Sequence, residues 1–77
     1  MLARVLENLE QVRTQRGLPG YRLSLKLGKP KNYWSKIYTQ EIRMTLEGYV
    51  EIARALDVSP SKLLRESLNS NIEDNSL

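Results

Sequence analysis

The stretch 20-GYRLSLKLGKPKNYWSKIY-38 decides the fold. Tyr21, Leu23, Leu25 and Leu27 alternate with Arg22, Ser24 and Lys26, and a period of two is the signature of a half-buried strand. A Gly-Lys-Pro-Lys-Asn turn and an aromatic run from Tyr33 to Tyr38 follow, completing the outline of a β-hairpin. The same residues also fit two short helices. On a helix starting near Gly20, Leu23 and Leu27 stand one turn apart and face one way. Gly28 breaks that helix sharply, and a second helix starts near Pro30, a position where proline is tolerated.

The flanks favour helices. In residues 2–16, Leu2, Val5, Leu6, Leu9 and Val12 recur at steps of three and four, the apolar stripe of an amphipathic helix. Gly17 ends it, behind Arg13 and Arg16 in its last turns. In residues 45–56, Leu46, Tyr49, Val50, Ala53 and Leu56 form a second stripe, with Thr45 as N-cap and Gly48 as a weak spot. Ser59 followed by Pro60 starts a further helix, with Leu63, Leu64 and Leu68 on its apolar side. Residues 69–77 are polar and acidic and read as a flexible tail, within which Ile72 and Leu77 are candidate dimer contacts.

An isolated hairpin needs something to pack on, whereas a helical centre continues the pattern on both sides. The expectation is therefore all-α, one domain over 1–68. In the central segment Trp34, Ile37 and Tyr38 face inward, and Lys31, Asn32, Ser35 and Lys36 share the outer side. Helix, short turn, helix, with a basic polar outer face on the second, is the geometry that enters a DNA major groove.

The totals limit the chemistry. A chain of 77 residues buries only about 60% of its unfolded surface. It has no cysteine and no histidine, which removes disulfides, thiolate metal sites and the commonest general base. Carboxylates, Lys, Ser and Tyr remain in no recognisable constellation, so neither an enzyme nor a metal or cofactor is expected. No apolar run approaches the ~20 residues that span a bilayer, and the N-terminus lacks the pattern of a signal peptide; a cytoplasmic, nucleoid-associated location is expected. The net charge of +3 is unevenly distributed. Residues 13–43 carry eight cations against Glu41 alone, net +7, and such a block points to a polyanion partner.

The sequence resembles the Cro/C1-type (λ-repressor-like, XRE) helix-turn-helix family, without gaps, from about Leu9 to Leu64. The resemblance is carried by Arg13, Arg16-Gly17-Leu18, Leu23, Lys26-Leu27-Gly28, Trp34-Ser35-Lys36-Ile37 and Leu46 to Ser59. Its most specific part is Ile-Ala-Arg-Ala-Leu-Asp-Val-Ser-Pro-Ser-Lys-Leu-Leu, residues 52–64. The resemblance implies a compact five-helix domain with a helix-turn-helix at helices 2 and 3. It implies a transcriptional regulator, a repressor or Cro-like switch of bacterial, phage or plasmid type, that binds a palindromic double-stranded operator as a homodimer. The positions matching the family's base readers are Lys31, Asn32 and Lys36, with Tyr33 and Ser35 beside them. Gly20, Arg22, Lys26, Thr39, Gln40 and Arg43 fall where the DNA backbone is gripped. Trp34 reads as core, and Leu25, an extra apolar residue on a normally outer position, as either core filling or part of a surface contact.

The chain also departs from the family pattern. Pro19-Gly20 stands where a small polar residue and Gln usually open helix 2, so that only backbone amides face a phosphate. Pro30 replaces the usual Ser or Thr cap, and Tyr38-Thr39-Gln40 replaces Glu-Asn-Gly. These departures motivate a rival reading, a protein-interaction module of antirepressor or antitoxin-like kind on the same fold. Dimer contacts are expected from the C-terminal helices, among Tyr49, Leu64 and Leu68, and no small-molecule ligand is evident.

Overall fold

The computed structural model describes residues 2–75, and side chains from 2 to 68. Five α-helices follow one another: α1 Leu2–Gln15, α2 Gly20–Lys26, α3 Tyr33–Tyr38, α4 Leu46–Ala55 and α5 Pro60–Asn75. There is no strand among the described residues. Helix α2 packs on α3 and α4, α1 on α3 and α5, and α4 on α5.

The alternation in 21–27 lies on a helix. Leu23 is fully buried while Leu25 is 54% exposed. At 3.6 residues per turn, positions two apart differ by about 200°, so Leu25 must face away from the core that holds Leu23. A pattern of period two on a helix this short therefore places apolar residues on two faces.

One core joins the helices. Val5, Leu6 and Leu9 of α1, Leu23 of α2, Trp34 and Ile37 of α3, Tyr49 and Ile52 of α4, Leu56 and Leu63 are all buried. On α4 the buried stripe is rotated from the expected one. Ile52, outside that stripe, is 1% exposed, and Leu46, inside it, is 76% exposed. Tyr49, Ile52, Ala53 and Leu56 are spaced i, i+3, i+4, i+7 and meet the core as one face, while Leu46 at the first position extends past its edge. Tyr49 is buried, with its hydroxyl donating to the Pro60 carbonyl, so it joins α4 to α5 and offers no surface to a dimer. On α5 the inward residues are Leu63 and Ser67, one turn apart, and Leu68 is exposed. Ser67 accepts a hydrogen bond from Asn8 Nδ2 at 2.6 Å and donates to the Leu63 carbonyl. The expected tail starts within α5, whose side chains from Asn69 on, Ile72 included, lie outside the described ones, as do Ser76 and Leu77.

Four helices end on a residue with left-handed backbone: Gly17, Gly28, Gln40 and Asp57, with φ of 66°, 73°, 64° and 60°. Each reversal returns an amide to the helix it leaves, as Lys29 N–H does to the Ser24 carbonyl and Val58 N–H to that of Ala53. The expected caps at the other ends are present. The Thr45 hydroxyl accepts from Gly48 N–H at 3.0 Å, and that of Ser59 from Lys62 N–H at 3.3 Å. Helix α3 starts at Tyr33 and not near Pro30. Once Gly28 has turned the chain, residues 29–32 are needed to reverse it, and Tyr33 N–H closes a tight turn onto the Pro30 carbonyl. Lys31 and Asn32 thus sit in the turn that leads into α3.

Candidate nucleic-acid interface

Helix α3 is held from behind by Trp34, which is 3% exposed. Its backbone N–H donates to Ser24 Oγ at 2.9 Å. Ser24 in turn donates to the Gly20 carbonyl at 3.0 Å and has no exposed surface. A buried hydroxyl of α2 therefore satisfies an amide in the first turn of α3 that has no partner within its own helix, a role Pro30 cannot fill. The Trp34 indole N–H donates to Glu10 Oε1 at 2.9 Å. Glu10 also receives Arg13 through both carboxylate oxygens, at 2.6 and 2.7 Å, and Arg13 reaches on to the Leu18 carbonyl. Hydrogen bonding from Arg13, helped by that from Trp34, holds the Glu10 carboxyl below its ordinary range despite partial burial. The α1–α3 seam has a second polar tie, from Tyr38 Oη to Glu7 at 2.7 Å. Glu7 pushes the Tyr38 hydroxyl above its ordinary pKa.

With Trp34 and Ile37 fixed inward, Asn32, Ser35, Lys36 and Thr39 follow at helical spacing on the other side. Lys31, Asn32 and Ser35 are exposed and Lys36 half-buried. Tyr33 packs toward α4. It is half-buried against the core and lines a hollow of about 180 Å³ with Leu27, Lys29, Thr45 and Gly48 among others. Lys29 Nζ lies 5.4 Å from its ring centroid, within range of a cation–π contact. The Thr39 hydroxyl donates back to the Ser35 carbonyl at 3.0 Å. Gln40 and Arg43, both exposed, border another hollow with Leu2, Leu6 and Ile37. Gly20 has a packing reason for its size, since a Cβ there would lie 3.3 Å from Trp34 Cδ1.

The basic block divides into two sets, apart from Lys29, which lies over the Tyr33 ring. Arg13 is bound to Glu10. Arg16 donates to the carbonyls of Leu56 and Asp57 at 3.1 and 3.2 Å, and Lys26 Nζ to that of Ala55 at 2.8 Å. These last two place charge on the C-terminus of α4, where the helix dipole favours a cation. Arg22, Lys31, Lys36 and Arg43 form no side-chain hydrogen bond or ion pair among the described residues. Three candidates come from α3 and its two flanking turns: Lys31, Lys36 and Arg43. Arg22 lies on α2, and Lys26 is engaged at α4.

Ser24 and Glu10 are not legible in the sequence as parts of this site. Ser24 occupies a polar slot of the alternation, and Glu10 reads as a solvated charge of α1. A signal exists for Glu10, whose spacing of three from Arg13 is that of a helical ion pair. Among the described residues no group of side chains could hold a metal ion, and no helix is long and apolar enough to cross a membrane. The described residues form five helices and no strand, with a cationic surface around α3. No protein family, no curated protein and no solved structure matches it.

Proposed function

We propose that α2 and α3 form a helix-turn-helix of Cro/C1 type and that the protein binds double-stranded DNA sequence-specifically as a transcriptional regulator, with α3 entering the major groove. The observation that carries this reading is the division of labour on α3. Trp34 and Ile37 hold the helix from the core, while Ser35 and Lys36 on its outer side, and Lys31 and Asn32 in the turn before it, donate no side-chain hydrogen bond and form no ion pair among the described residues. Lysine donates to guanine O6 and N7, and asparagine bonds adenine bidentately. Arg43, Arg22 and the amide end of α2 grip phosphates and set the docking angle. Tyr33 supports Lys29 and the start of α3 in this reading. Binding to two half-sites as a homodimer uses α5, where Leu68 is exposed.

The deciding experiment is selection from a random duplex library at near-physiological salt. A palindrome or repeated half-site among the retained sequences is the expected result. Retention without a motif would leave charge-driven binding alone and overturn the proposal.

A further inference from the structure

We propose that the outer face of α2 is a docking site for an acidic amphipathic helix of a partner protein. Tyr21 and Leu25 stand one turn apart and are 49% and 54% exposed. With Leu18 they form the apolar floor of an open hollow of about 510 Å³, whose other lining residues are Arg22 and Lys26. Leu23 and Ser24, on the opposite side of α2, already supply its core contacts. Tyr21 and Leu25 are therefore outside the buried core, and apolar anchors one turn apart beside an open hollow suit the apolar face of a docked helix.

Charge selects the occupant. Three apolar residues and two cations line the hollow, with no carboxylate among them. A helix laying its apolar anchors on Tyr21 and Leu25 brings its flanking positions beside Arg22, where Asp or Glu is favoured and Lys or Arg opposed. A second copy of this chain fits poorly. A two-fold contact sets the same patch against itself, so the cations of one copy would crowd those of the other. The inference goes beyond DNA recognition: its apolar anchors, Tyr21 and Leu25, lie off α3, and only Arg22 is shared with the proposed phosphate grip.

The test is selection from a displayed library of 14-residue amphipathic helices, with the positions flanking the apolar stripe randomised, against the full chain. Recovered binders are expected to be rich in Asp and Glu at those positions. They should shift the backbone amide resonances of Leu18 and of residues 20–26 in the ¹⁵N-labelled protein. Tyr21→Ser with Leu25→Ser should weaken them at least tenfold while circular dichroism stays helical. Leu25→Ser alone, at a position outside the amide end of α2, leaves DNA retention as in the parent chain, so failure here and failure of the DNA reading are separable. Binders without acidic enrichment, binders whose shifts fall elsewhere, or concentration-dependent shifts of the same amides without any peptide would each overturn the proposal; the last would assign the face to self-association.

Discussion

Ser24 shows how much a single hydroxyl can carry in a small core. It accepts the Trp34 amide and donates to the Gly20 carbonyl within a fully buried setting. Alanine there leaves the amide unsatisfied, which costs about 1–3 kcal/mol. Urea unfolding of Ser24→Ala should show that loss as a lower midpoint with the slope retained. Gln40 is strained in the opposite sense, because a side chain in left-handed backbone costs about 1–2 kcal/mol and Gln40 holds φ 64°. Gln40→Gly is therefore expected to raise stability by about 1 kcal/mol in the same assay. Glu10 brings pH dependence. Its folded carboxyl titrates below its ordinary value because Arg13 and Trp34 bond the charged form. The stabilisation is complete above the unfolded carboxyl's pKa and is lost as pH falls through the folded one. Thermal midpoints should drop more steeply in acid for the parent chain than for Glu10→Gln.

Helices differ in how openly the chain declares them. The face of α1 and the caps of α4 and α5 are written in local spacing, at Val5, Leu6 and Leu9, at Thr45, and at Ser59-Pro60. The start of α3 is not, because its first-turn amide is satisfied by Ser24 from another helix, and no local pattern encodes a tertiary partner. Helix α4 misleads for a related reason: Leu46 fits the period but lies beyond the neighbours that would bury it. Lys26 belongs here too. By sequence it joins the DNA-gripping cations; in the fold its ammonium meets the Ala55 carbonyl at the end of α4. Lys26→Met should lower stability by about 0.3–1 kcal/mol and leave the salt dependence of DNA binding as it was, which denaturation and a salt titration can separate.

For the molecule as a whole, the charge total is less informative than the distribution of partners. Eight cations in residues 13–43 suggest a broad basic surface, but Arg13, Arg16 and Lys26 are engaged internally, and the candidate interface is correspondingly smaller. Lys31→Ala with Lys36→Ala should abolish sequence-selective retention while circular dichroism stays helical. For each phosphate that the variant no longer neutralises, the slope of log affinity against log salt should become shallower by about 0.9. Trp34 is the only tryptophan in the chain, and it lies with its indole N–H on a carboxylate of α1 directly behind α3. The protein thus carries its own optical probe at the seam between α1 and α3: its ultraviolet emission reports whether that seam is closed, with no dye attached and no residue changed.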